Sequence, residues 1–276
     1  MPRVARAPYR RLLPLAMLCL GAAPAPPRRV VSLNLCADQY LLALADRGQV
    51  AALTRFSRDP LLSAGAGAAR AMPVSGGGAE EVLALDPDLV LAAPGQPAAR
   101  VGALSGRHPQ LIELPPADSY AAILGQVRTV AVAVGHSARG EALVARMNAA
   151  LAALPPPRRH GVAAYYQRRG YVTGAGTLVD ELMRRVGLVN LATRLGRPAL
   201  SQLTLEQLVA ARPDYLIVES ASDRTADQGT EMLHHPVLAG IPRLRLPQAW
   251  TVCGGPAYVL AAQSLTRQLA SRATRR

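Results

Sequence analysis

The chain has 276 residues, 50% of them hydrophobic and 18% charged, which excludes global disorder and supplies apolar material for one large or two smaller packed domains. All 31 basic residues are arginines, against 18 acids, for a net charge of +13. The Arg pairs are scattered and aromatics make up only 4%, so a basic stripe with stacking platforms for nucleic acid is excluded, as is a helical membrane-spanning body.

Residues 1–25 have the layout of an export signal. Arg3, Arg6, Arg10 and Arg11 precede an apolar run over 12–23 that is too short to span a bilayer, and small residues follow around Ala23 and Ala25. Cys19 lies inside the apolar run, behind Ala16, Met17 and Leu18 rather than a Leu-small-small sequence, so a cleaved signal is expected rather than a lipid anchor. Removing the four signal arginines lowers the charge to +9, and the expected destination is the periplasm. An oxidising compartment permits Cys36 and Cys253 to pair, while two separate buried thiols remain the alternative. No Cys-x-x-Cys or Cys/His spacing exists, so no metal site and no resident cofactor are predicted.

Short apolar runs at 30–33, 50–54, 89–92 and 111–114 read as buried strands, with helical stretches at 38–44 and 79–85 between them. Residues 119–154 carry no strand signal. Gly135-His136-Ser137 interrupts this stretch, and Ser137 is placed to cap a helix over 137–154 that Pro155, Pro156 and Pro157 then stop. Eighteen helical residues would make a rod of roughly 27 Å. Strand signals return at 162–166, 171–173, 215–219 and 244–246, with Thr177/Asp180 and Thr204/Gln207 spaced as capping boxes. The pattern predicts two α/β lobes, 28–136 and 158–272, joined by a single rigid helix at 137–154.

An internal repeat relates the lobes. The segment from Glu80 to Val90 recurs 126 residues later from Glu206 to Leu216, each a short helix opened by Glu, then a Pro-Asp turn and a buried strand. Each Glu sits in a first helical turn, where the backbone dipole favours a carboxylate.

The chain resembles the iron-complex and cobalamin family of periplasmic substrate-binding proteins of ABC importers. The resemblance rests on six pieces in order: Val-Val-Ser-Leu-Asn-Leu-Cys-Ala-Asp from Val30, the run from Arg55 to Pro60, residues 80–90, Tyr171-Val172-Thr173-Gly174, residues 206–216, and Trp250 followed by Gly254-Gly255-Pro256. It implies two α/β lobes on a helical backbone, with an iron chelate, haem or corrinoid held in the cleft between them. It also implies that Glu80 and Glu206 dock onto Arg pockets of a permease dimer, a role suited to directional carboxylate–Arg pairs. The implied ligand residues are Asn34, Cys36, Phe56, Ser57, Gly76, Gly77, Tyr165, Tyr166 and Trp250. Phe56 and Trp250 fall where the cobalamin-binding member has aromatics, whereas two of its tryptophans correspond to Val74 and Leu200 here. A Cys36 or Cys253 thiolate ligating the ligand's metal is a further implied role, beside packing or a disulfide. The positive charge tilts the expectation toward anionic iron complexes, with Arg55 or Arg58 balancing them. The protein is expected to act as a monomer without nucleic-acid partners and not as an enzyme. The Gly174-Ala175-Gly176 turn lacks the third glycine and ribose-binding acid of a dinucleotide site, and is expected to serve close packing instead. A sensory or structural periplasmic module and a non-transport α/β enzyme are the alternatives.

Overall fold

The computed structural model describes residues 25–96, 109–219 and 227–273; the expected export signal at 1–25 lies, but for its last residue, outside them. The first lobe contains β1 (Val30–Ser32), α1 (Leu35–Leu44), β2 (Val50–Thr54), α2 (Ala66–Ala69), β3 (Val74–Ser75), α3 (Ala79–Ala84), β4 (Leu89–Ala92), β5 (Gln110–Glu113) and α4 (Tyr120–Ala133). α5 (Ser137–Ala152) leads to the second lobe. There follow β6 (Gly161–Tyr165), β7 (Tyr171–Thr173), α6 (Leu178–Arg185), β8 (Leu188–Asn190), α7 (Leu191–Arg194), β9 (Leu200–Gln202), α8 (Leu205–Ala210), β10 (Tyr215–Glu219), α9 (Gln228–Glu231), β11 (Arg243–Leu246) and α10 (Tyr258–Ala273).

Each lobe is built on a parallel sheet. The order is β3-β2-β1-β4-β5 in the first and β11-β10-β6-β8 in the second, with β7 and β9 forming a separate antiparallel pair. Every residue of β4 and of β10 is buried, because helices cover both faces of each sheet. Two outer layers cover the sheets in the same way. Val82 of α3 packs with Val31 and Val90, and Leu208 of α8 packs with Ala164 and Leu216. The inner faces share one buried cluster that runs from Tyr40, Ile123 and Val127 through Leu182 and Ile217 to Leu265. The two-lobed α/β architecture expected from the sequence is therefore present, with α4, α5 and α10 packed between the sheets.

Several local details differ from the sequence reading. α5 begins at Ser137 itself, and His136 holds the cap position with no side-chain cap bond. The His136 imidazole instead meets Gln49 at 2.9 Å and Asp46 at 3.2 Å, tying the helix start to the first lobe. α5 ends at Ala152, so its 16 residues span about 24 Å. Thr177 caps α6 by accepting from the Asp180 N–H, but Asp180 does not reciprocate. Its buried carboxylate accepts from Asn190 Nδ2 at 3.0 Å and Thr193 Oγ1 at 2.7 Å. At Thr204 and Gln207 the full capping box forms. The sequence reading assigns no strand at β3, β8 or β9, which are two or three residues long. Gly174 lies against the Arg197 and Pro198 backbone, leaving no room for a side chain.

Candidate functional site

All strands of both main sheets are parallel, so each sheet presents one edge of strand C-termini, and in open α/β sheets ligands bind beyond that edge. Two joined chambers of about 280 and 260 Å³ lie there, between the lobes. The first is lined by residues that follow β1, β4 and β5, namely Asn34, Cys36, Ala93 and Leu114 with Pro115 and Pro116. The second is lined by Tyr165 and Gln167 at the end of β6, Glu219 at the end of β10, and Gln248 after β11. Asp118, Leu178, Thr251 and Val252 border both, so the two lobes enclose one continuous cleft.

The segment 251–255, returning from β11 to α10, is fixed against the first lobe. Cys253 is disulfide-bonded to Cys36, with Cα atoms 5.2 Å apart across a separation of 217 residues. The Tyr40 hydroxyl donates to the Gly254 carbonyl at 2.6 Å. A Cβ at Gly254 would run into the Ala117 backbone, so only glycine permits this approach. Behind the cleft, Tyr120 at the start of α4 stacks on Tyr258 of α10, ring centroids 5.3 Å apart, with the Arg185 guanidinium over both rings. Burial pushes the Tyr258 hydroxyl up to about 12, keeping it a neutral donor and acceptor in this cluster.

The polar end of the cleft is anionic. Glu219 is only 6% exposed, and its Oε1 accepts from the Tyr165 hydroxyl at 3.1 Å and from Gln167 Nε2 at 2.9 Å. Its Oε2 has no donor among the described residues. Burial, and then the neighbouring Glu219 charge, push the Tyr165 hydroxyl well above its ordinary range, so it stays a donor. At the other end, Asn34 caps α1 through Oδ1, accepting from the Ala37 N–H at 2.8 Å. That bond fixes the amide's orientation and leaves the buried Nδ2 without a partner.

Of the residues expected from the sequence, Asn34, Cys36 and Tyr165 come together at the chambers. Cys36 lines the cleft as half of a disulfide, the pairing that the sequence left open; the alternatives of separate thiols and of a ligating thiolate fall away, because neither sulfur is free. Tyr166 is corrected too. One position along the strand from Tyr165, it turns to the opposite face of the sheet and donates to the Leu203 carbonyl at 3.1 Å. Its buried hydroxyl is pushed up to about 12. Ser57 is fully buried and donates to the Thr54 carbonyl at 2.7 Å, closing the turn after β2 instead of facing a ligand. Phe56 is 45% exposed beneath the Arg55 guanidinium, and Arg58 is held by the Met72 carbonyl at 2.6 Å. Neither these three residues nor Gly76 and Gly77 line the two chambers. Gly76 donates its N–H to the Glu81 carboxylate, and Gly77 has a φ of 78° in the turn before α3. Trp250 sits beside Thr251, half-buried against the shared core.

Glu80 and Glu206 stand apart from the cleft, in the first turns of α3 and α8 and exposed to solvent. The Thr204 hydroxyl and nearby backbone hold the Glu206 carboxyl below its ordinary range. Glu219, Gln167, Asp118 and Thr251 escaped the sequence reading. The available signal was position alone: Glu219 ends β10, and Gln167, Asp118 and Thr251 lie in the connections that follow β6, β5 and β11. Among the described residues, no group of three or more His, Cys, Asp or Glu converges as a metal site would require.

Two parallel-sheet lobes closing on an interlobe cleft at their strand C-termini define a two-lobed α/β binding protein. Residues 30–245 match the family model described as Periplasmic binding protein, and the chain belongs to that family. It is 28% identical over 210 residues to a cobalamin-binding protein of Halobacterium salinarum, an alignment covering 72% of this chain. The chain spans about 55% of the length of that curated relative. Among solved structures, the periplasmic heme-binding protein RhuT from Roseiflexus sp. RS-1 superimposes with a TM-score of 0.65 at 25% identity, covering 88% of this chain and 97% of that one. The periplasmic vitamin B12 binding protein BtuF of Vibrio cholerae superimposes with a TM-score of 0.63 at 17% identity over 89% and 98% of the two chains. This family is one of binding proteins.

Proposed function

We propose that the protein is the substrate-binding component of an ABC importer, working in the periplasm after cleavage of its export signal, and that it captures an iron chelate, haem or a corrinoid and delivers it to a permease dimer. The observation that carries this reading is the cleft itself, lined from both lobes by strand ends and fixed by a disulfide and a tyrosine–carbonyl bond. The relatives' ligands, cobalamin and heme, are of the same flat macrocyclic kind. Chambers of 260–280 Å³ suit the edge or a substituent of such a ring, its body lying in the more open part of the cleft.

The repeat supplies the delivery surface. Glu80 and Glu206 open equivalent helices on the outer layers of the two lobes, and two similar lobes suit two equivalent permease subunits. Capture is tested with the fluorescence of Trp250, the chain's one tryptophan, which adjoins the cleft segment. Titration with cobinamide, cobalamin, haemin and ferric siderophores is expected to quench it with one of them. No quenching and no shift in Tm with any member would refute the ligand class.

A further inference from the structure

No Arg or His among the described residues lines either chamber, whereas Glu219 and Asp118 both do. We propose that Glu219, assisted by Asp118, selects the cargo: the site takes a ligand whose rim presents primary amides or protonated amines and rejects one whose rim presents carboxylates. This rests on the reading of the protein as a carrier of chelates or macrocycles, and it names which kind.

Glu219 is nine-tenths buried, where an ionised carboxylate is costly unless its oxygens are matched by donors. Tyr165 and Gln167 satisfy one oxygen, and the other has no donor among the described residues. A ligand N–H placed there completes the set with a charge-assisted bond, the stronger kind. A ligand carboxylate would instead lose water against a like charge with no Arg or His among the described residues that line the chamber, a repulsive element that discriminates by itself.

A second, independent group points the same way. Asn34 Nδ2 is a buried donor without an acceptor, and its orientation is locked by the helix cap. A rim that bears several primary amides carries both complements for the cleft's two ends, an N–H for Glu219 in one chamber and a C=O for Asn34 in the other. The cleft thus fits an amide-rimmed corrin better than a haem, whose rim bears two propionates. This reverses the tilt that bulk charge suggested from sequence.

The test compares dicyanocobinamide with haemin on the full-length mature protein, by calorimetry and Trp250 quenching. The wild type is expected to prefer the corrinoid by at least tenfold. Glu219→Gln, which keeps the shape and removes the charge, should cut that preference about tenfold. Asp118→Asn, at an exposed position where folding is not at stake, should move it in the same direction by about twofold to fivefold. A wild type that prefers haemin, or a preference unchanged in both variants, overturns the proposal alone. Silence with both probes also overturns it, and silence with ferric siderophores as well overturns the underlying carrier reading.

Discussion

The repeated segment allows the two lobes to be compared residue by residue. Asp86 and Arg212, 126 positions apart, both adopt the left-handed conformation, with φ of 45° and 47°, where the short helix turns into its strand. Two residues on, Asp88 accepts from the Arg28 and Arg29 N–H groups at 2.7 and 2.9 Å, and Asp214 accepts from the Val162 N–H at 2.7 Å. Each aspartate thereby ties its loop to the entry of the neighbouring parallel strand. Around this shared unit the lobes diverge. The first adds β3 at the sheet edge and a buried carboxylate, Asp38, whereas the second adds the β7–β9 pair and the cleft carboxylate Glu219. The difference teaches that the repeat carries the scaffold; under the proposed function it also carries the docking surface, and ligand chemistry resides in what each lobe adds.

The cross-link between the lobes should give the largest effect. Replacing Cys36 and Cys253 by Ser removes a constraint on a loop of 217 residues and is expected to cost about 2–5 kcal/mol in urea unfolding. Dithiothreitol should reproduce the loss in the wild type and leave the double variant unmoved.

Docking tests whether the lobes are equivalent. Glu80→Ala and Glu206→Ala should each weaken binding to the permease about tenfold, by similar amounts, while ligand affinity holds; surface plasmon resonance would read this. Strongly unequal losses would break the symmetry, and no loss in the double variant would refute the docking role.

Asp38 should make the first lobe respond to pH in a way the repeat does not. It accepts from the Thr54 N–H and hydroxyl, yet burial dominates and raises its carboxyl from 3.8 to about 6. The folded state then binds the proton more tightly than the unfolded chain. Its contribution is present at low pH and is lost as pH rises through about 6. Between pH 7 and pH 5 the wild type should gain about 1 kcal/mol from this group, and Asp38→Asn should lack that gain. A variant with the same pH profile as wild type would contradict the assignment.

The two turn aspartates sharpen the comparison further. Asp88→Ala should cost about 1 kcal/mol or slightly more and Asp214→Ala somewhat less, because the first carboxylate serves two backbone donors and the second serves one. The smallest effect expected is in shape. With the disulfide, the Tyr40–Gly254 bond and the Tyr120–Tyr258 stack all crossing between the lobes, X-ray scattering should show little change in radius of gyration on ligand binding. A large compaction would mean these ties yield.

The amino-acid sequence by itself determined the α/β alternation, the main strands, the bridging helix and the paired glutamates. These features depend on local periodicity, on proline and glycine stops, and on a repeat visible within eleven residues. Only the tertiary structure decided the chemistry of the cleft. Whether Tyr165 or Tyr166 faces the ligand depends on which side of a sheet is inner. Whether Cys36 is a thiolate or a disulfide depends on a residue 217 positions away. Glu219 is an ordinary strand-end acid in sequence. It becomes the cleft's buried charge only because β10 pairs with β6, distant in the chain, which brings Tyr165 and Gln167 to its oxygen at the strand ends that line the cleft. Local pattern reports which residues share a face of one element, while a cleft between lobes is made by contacts between elements far apart in the chain, to which no local period corresponds.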